Sequence, residues 1–253
     1  SESPKEKLSV LMNSQEVIVW ISLGAQDIPI GKLWFHVRGN KQSSSFEYHK
    51  DWLSHPEKFS LEPALNLTEG SFHTGQGMGL FGSIGDSAPD RWGRVLMRRG
   101  ETIAAKKQNR ASRSLFELDY LLGVNDEARQ GALRFSLPSH ETLFLSPHKN
   151  APIPILIDLP KLLSATERFT DDKESSEDLK LLLAPGSSLG GARPKASVRD
   201  KDGSLAIAKF PKKDDDFHIV VWEAVTLTLA KKAGINVPLY RLENICDKQV
   251  LIV

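Results

Sequence analysis

Apolar positions along this chain follow two periods. Val17-Ile18-Val19-Trp20-Ile21-Ser22-Leu23 is a short β-branched run and predicts a buried strand. Gly24 to Gly31 predicts a turn. Lys32 to Val37 predicts a second strand that ends at the Gly39-Asn40 turn signal. Phe46 and Tyr48 alternate with polar neighbours and predict a third strand, completing an antiparallel meander. The spacing then becomes helical. A helix is expected from Asp86 to Gly100, with Ser87 as its cap, Pro89 in its first turn and Asp90 returning the capping bond. Trp92, Val95 and Leu96 are its apolar positions. A second helix is expected from Ser112 or Ser114, with Glu117 as capping partner. Leu115, Leu118 and Leu122 form its apolar face, and Gly123 ends it. Gly131 to Phe135 predicts a closing strand.

Residues 137–154 are rich in Pro, Ser and His, which suggests a domain boundary. Short helices are expected at 158–169 and 175–183. The acidic link between them, Asp171 to Asp178, reads as a solvated face. Lys195 to Asp200 and Leu205 to Phe210 predict a hairpin around Asp202-Gly203. A helix from Asp215 to Ala233 would bury Val221, Val225 and Leu229, with Gly234 as its cap. Val237 to Leu242 and Gln249 to Val253 predict a last strand pair. The expected organisation is α+β: a flexible tail at 1–14, an antiparallel-sheet subdomain with helices at 15–145, and a second lobe at 146–253.

Composition narrows the function. The 253 residues are 40% hydrophobic, enough for one large or two modest cores. Lys plus Arg number 33 against 32 Asp plus Glu, so no whole-molecule basic field draws in nucleic acid. A local basic patch at Arg91, Arg94, Arg98 and Arg99 is left open. Cys246 is the only cysteine, which excludes an internal disulfide and suits a reducing compartment. Ser1 to Ser9 lacks the apolar core of a signal peptide, and no apolar run is long enough to span a membrane. A cytoplasmic location with no membrane partner is expected.

The candidate chemistry lies in the second lobe. Ser187-Ser188-Leu189-Gly190-Gly191-Ala192-Arg193-Pro194-Lys195 pairs two glycines, which let a backbone approach a bulky anion, with a lysine that phosphate oxygens would accept. Lys209 ends an apolar strand, where an ammonium needs an anionic partner. Glu223 lies in an apolar helical stretch and needs the converse. Gly-rich loop, strand lysine and helix glutamate are the order of parts in a protein-kinase small lobe. The plainer readings are a glycine turn and two snorkelling edge residues. Gly186 and Gly191 have the Walker A spacing, but Ala192 stands where lysine is required. Gly77-Met78-Gly79-Leu80-Phe81-Gly82 matches the dinucleotide fingerprint but lacks its strand-loop-helix setting, so a flexible glycine loop is the better reading and a dinucleotide oxidoreductase a distant third. The seven histidines and one cysteine form no metal motif, and there is no nucleophile elbow.

Asp86-Ser87-Ala88-Pro89-Asp90-Arg91-Trp92-Gly93 resembles a signature of the amino-terminal domain of HipA-type toxin kinases. Gly131 to Phe135 looks like the strand that closes that domain. Ser188 to Lys195 resembles the family's phosphate loop, and Trp222-Glu223 with Ala230 to Pro238 resembles its regulatory helix and following turn. The resemblance implies a serine/threonine-protein kinase of a type II toxin–antitoxin system. Gly190, Gly191, Ala192, Arg193, Lys195 and Lys209 would bind ATP, and Glu223 would anchor Lys209. Ser188 would be the autophosphorylation site that switches the enzyme off, with Ser187 beside it as the other candidate. Mg²⁺ is implied, as are a helix-turn-helix antitoxin, operator DNA contacted mainly through that antitoxin, and a protein substrate such as an aminoacyl-tRNA synthetase.

The family also carries a helical catalytic lobe. After Glu223 this chain offers only Glu243, Asn244 and Asp247, none in a His-x-Asp-x-x-x-x-Asn setting. The chain is therefore expected to hold the phosphate-binding half, with the metal ligands in the missing lobe, and to be inactive alone. The alternative is a non-catalytic cap or antitoxin-like module that associates with a separate toxin kinase.

Overall fold

The computed structural model describes residues 16–39, 41–140, 144–145, 153–154, 158–186 and 191–253. The expected tail at 1–14 lies outside the described residues. The chain divides into two units, Ser1–Pro89 with Ser114–Pro147 and Asp90–Arg113 with His148–Val253. The boundary expected near residue 146 had put Asp90–Arg113 in the first unit. That segment groups with the second because Trp92 and Leu96 are buried among the second unit's apolar side chains.

In the first unit, β1 (Glu16–Leu23), β2 (Gln26–Arg38), β3 (Lys41–Tyr48), β4 (Ser71–His73) and β5 (Leu133–Ser136) form a sheet of order β4-β3-β2-β1-β5. Every pairing is antiparallel. The turn expected over Gly24 to Gly31 is only two residues long. Leu23 pairs with Gln26, Gly24 takes a φ of +60°, and Gln26 to Gly31 belongs to β2. The alternation of Ile28 and Ile30 explains the extension, and a register shift between Val19 and Trp20 lets Pro29 sit in the strand.

Gly31 is needed for close approach rather than for a turn. A Cβ there would stand 2.4 Å from the Glu47 carbonyl oxygen and 2.5 Å from the Phe46 ring. Gly31→Ala should therefore destabilise the first unit by about 3 kcal/mol, since the clash is with backbone and a fully buried ring. Chemical denaturation measures the loss.

Short helices α1 (Lys50–Ser54) and α2 (Gly82–Gly85) precede α3 (Arg91–Lys107), which belongs to the second unit. The helix expected from Asp86 thus begins at Arg91. Asp90 is its cap and accepts from the Arg91 N–H at 2.8 Å, while Ser87 is buried outside the helix. Nor does α3 stop at Gly100: a Cβ there would stand 3.1 Å from Leu183, so the glycine admits a neighbouring side chain. The next helix, α4 (Glu117–Leu122), starts later than Ser112 or Ser114. Its first amide is served by Asp119, whose carboxylate accepts from the Phe116 N–H at 2.7 Å. Arg129 is buried in this unit and donates to the Ser87, Leu121 and Val124 carbonyls at 2.9, 3.0 and 3.4 Å.

In the second unit, α3, α5 (Leu159–Thr170) and α6 (Ser176–Gly186) accompany β6 (Lys195–Arg199), β7 (Leu205–Lys209), α7 (Ile219–Lys232), β8 (Arg241–Ile245) and β9 (Lys248–Ile252). The sheet order is β6-β7-β9-β8. Ala196, Val198, Ala208, Val250 and Ile252 join Trp92, Leu162 and Phe169 in its core. The β8–β9 hairpin turns at Cys246 and Asp247, both at positive φ, and begins at Arg241 rather than Val237.

The acidic link is exposed at Asp171, Asp172 and Glu177, as a solvated face should be, but it is also paired and buries Asp178. Asp178 is buried and accepts from Arg168 Nε at 2.9 Å and from the Ser175 N–H at 2.8 Å, while Arg99 pairs with both Asp172 and Glu174. The Arg168 guanidinium, and then Ser175, hold the Asp178 carboxyl well below the usual carboxylate range. A depressed folded-state pKa means stability that is present above the unfolded value and lost as pH falls. Thermal unfolding of the second unit should therefore move to lower temperature below about pH 4, the ordinary aspartate range. Asp178→Asn should be less stable at neutral pH and lose less on acidification.

Helix α7 turns a different face inward from the expected Val221/Val225/Leu229 stripe. Val220 and Ala224 are buried with Leu227 beside them, while Val225 and Leu229 are exposed. The helix is apolar nearly all round, so periodicity could not choose its face. Glu223 pairs with Lys209 on β7, while Val220, Ala224 and Leu227 pack against Leu251 on β9. Gly234 ends α7 at φ +80°. Among the described residues, no helix is long and apolar enough to cross a membrane.

Candidate functional site

Lys195 on β6 pairs directly with Lys209 on β7. Cross-strand partners share a face, so the two lysines lie opposite the buried Ala196–Ala208 pair. Like charges placed there repel unless an anion joins them. Burial, and then the charge of Lys209, lower the Lys195 pKa from its ordinary value, while Asp90 and Glu223 oppose the shift. Glu223 reaches back from α7 and forms an ion pair with Lys209 Nζ. The side chains of Lys209 and Glu223 are 28% and 37% exposed, so the pair stays open to a ligand from solvent.

The described end of the glycine loop begins at Gly191, with a φ of +77°. A Cβ there would stand 2.7 Å from Lys195 Nζ, so the ammonium lies against the space that glycine leaves. Ala192 is exposed beside it. Arg193 turns to Asp215, whose carboxylate also accepts from the Lys212 N–H at 2.9 Å. Gly190, Ser187 and Ser188 lie outside the described residues. The structure thus brings Gly191, Lys195, Lys209 and Glu223 together and commits Arg193 to a carboxylate. Glu243 accepts from Arg241 Nε at 2.8 Å, and Asp247 occupies the β8–β9 turn.

Asp90 and Trp92 belong to this site and were not expected in it. The Asp90 carboxylate accepts from the Gly191 N–H at 2.7 Å, and Trp92 Nε1 donates to the Lys195 carbonyl at 2.9 Å. Both residues stand in the Asp86–Gly93 block, yet nothing along the chain places that block beside a loop so far away.

The Gly77–Gly82 segment serves packing. A Cβ at Gly79 would stand 2.7 Å from Glu117 Cγ. The Ser83 N–H at the start of α2 donates to the Glu62 carboxylate at 2.8 Å, which occupies the amide a phosphate would use. Among the described residues, no group of three His, Cys, Asp or Glu side chains stands together as a metal site.

The second unit is thus a small antiparallel sheet whose hairpin lysines meet a glutamate from one helix, an arrangement suited to holding a compact polyanion. Residues 187–253 match the family model for the HipA-like C-terminal domain. The matched segment contains Lys195, Lys209 and Glu223, and the match supports a HipA relationship for this part of the chain. No curated protein matches the chain.

Proposed function

We propose that the second unit grips the phosphates of ATP and that the protein is a HipA-like serine/threonine-protein kinase of a toxin–antitoxin system. The observation that carries this reading is the Lys209–Glu223 ion pair with Lys195 directly across the strand from Lys209. A triphosphate between the two ammonium groups would add charge-assisted bonds to both. Glu223 holds Lys209 in place, as the strand lysine and helix glutamate of a kinase lobe require. Gly191 leaves room for the Lys195 ammonium. Ser188 as a regulatory phosphosite, a helix-turn-helix antitoxin that carries the operator DNA contact, and a protein substrate of the aminoacyl-tRNA synthetase kind belong to the same proposal.

Phosphoryl transfer also needs Mg²⁺ and a group that positions the acceptor hydroxyl. The described residues form no fitting metal site, and Glu243 is engaged with Arg241. The chain should accordingly bind MgATP weakly and transfer no phosphate by itself. Calorimetric titration with MgATP tests the grip, and incubation with radiolabelled ATP tests the turnover. Absence of any binding signal overturns the reading.

A second reading, a non-catalytic module that associates with a separate kinase, is favoured by the apolar surface of α7 and the segment after it. Trp222, Leu229, Ile235 and Leu239 are 58%, 59%, 61% and 91% exposed. A module of that kind has no need of a triphosphate, so MgATP binding separates the two.

A further inference from the structure

Two segments about a hundred positions apart are joined by a dense set of hydrogen bonds. One Asp90 carboxylate oxygen accepts from the Arg91 N–H at 2.8 Å, and the other accepts from the Gly191 N–H at 2.7 Å. The Trp92 N–H donates to the Gly191 carbonyl at 2.9 Å, so Gly191 is held on both its donor and its acceptor side. Trp92 Nε1 donates to the Lys195 carbonyl, also at 2.9 Å. The indole is itself immobilised: it is buried and packs edge-on against Phe169, with ring centroids 5.3 Å apart.

The consequence reaches the lysine. Lys195 Nζ fills the space where Gly191 lacks a Cβ, so a displaced Gly191 displaces the ammonium. The Gly191 N–H already has a carboxylate partner and is not a donor left over for phosphate. Its role lies in where it puts Lys195. Arg193 is held elsewhere, by Asp215.

We infer that Asp90 is a positioning residue of the phosphate grip: its carboxylate, braced by Trp92, fixes Gly191 against the first turn of α3 and thereby sets the Lys195 ammonium beside Lys209. This rests on the proposed ATP grip and deepens it. It assigns part of the grip's geometry to a helix outside the segment that matches the HipA-like domain.

The test separates capping from positioning. Asp90→Ser keeps an oxygen that caps α3, but it lacks the second carboxylate oxygen that reaches the Gly191 N–H. In the nucleotide-free full chain, amide hydrogen exchange at Gly191 should quicken about tenfold while the amides of α3 beyond its first turn keep their protection. MgATP affinity should fall about tenfold. That loss should vanish in a Lys195→Met background, because Asp90 acts through Lys195. If Asp90→Ser does not fold, Asp90→Asn carries the same test, since its amide nitrogen cannot accept the second bond. Unchanged Gly191 exchange overturns the inference. So does faster exchange with undiminished MgATP affinity, or an equal loss in the Lys195→Met background, and both of these leave the proposed function standing. Failure of the unsubstituted chain to bind MgATP removes both.

Discussion

Lys209→Met is expected to weaken MgATP binding by about 10- to 100-fold while leaving the fold intact. Methionine keeps most of the apolar stem and removes the ammonium. A hydrogen bond to a charged group contributes about 1.5–3 kcal/mol, which converts to roughly that range of affinity. Folding should change little, because the ion pair that is lost lies at a partly open surface where such pairs contribute little. Glu223→Gln should give a smaller loss, since the amide still contacts Lys209 but no longer holds its charge. Lys209→Arg should not restore affinity: the planar fork differs in shape and reach from the compact ammonium that Glu223 holds. Calorimetry at two salt concentrations measures all three, and the loss in Lys209→Met should shrink as salt rises. Equal affinity in the methionine variant and the parent would remove Lys209 from the site.

A large loss of stability is also expected at Arg129. Arg129→Met should destabilise the first unit by about 3 kcal/mol, because three buried carbonyls lose their charged donor at once. For a unit of this size the midpoint should fall by roughly 10 °C. Burial pushes the guanidinium down to about 10, and Asp126 opposes that shift. The methionine fills similar volume against the Phe135 ring, over which the guanidinium sits at 4.8 Å, so lost packing is not the main cause. Differential scanning calorimetry should show the first unit melting early and the second unit unmoved. A shift below about 2 °C would mean that water satisfies those carbonyls equally well.

Much of the fold was legible as pattern. The three-stranded meander, the closing strand, the 195–209 hairpin and helices α5 and α6 follow from local alternation and from turn residues at fixed places. The misreadings share one cause, a local signal with two outcomes. Ser87, Pro89 and Asp90 all suit a helix start; the bond from Asp90 to Arg91 puts the cap at Asp90. The ion pairs of Asp172, Glu174 and Asp178 in the acidic link were hidden along the chain because Arg99 and Arg168 lie on α3 and α5. The face of α7 was undecided because Val220, Val221, Ala224 and Val225 are all apolar.

The candidate site divides in the same way. Lys195, Lys209 and Glu223 could be named from the chain alone, since residue type and order carry their chemistry: a lysine after paired glycines, a lysine ending an apolar strand, a glutamate within an apolar helix. Strand register, helix rotation and long-range hydrogen bonding then settled which of these groups meet. Pairing of β6 with β7 set one lysine across from the other. Packing of Val220 and Ala224 on Leu251 set the rotation of α7 that brings Glu223 to Lys209. Folding α3 into the second unit brought Asp90 to Gly191. Such contacts are invisible in a linear pattern, because a hydrogen bond or ion pair depends on separation in space and leaves no periodic trace in the intervening residues.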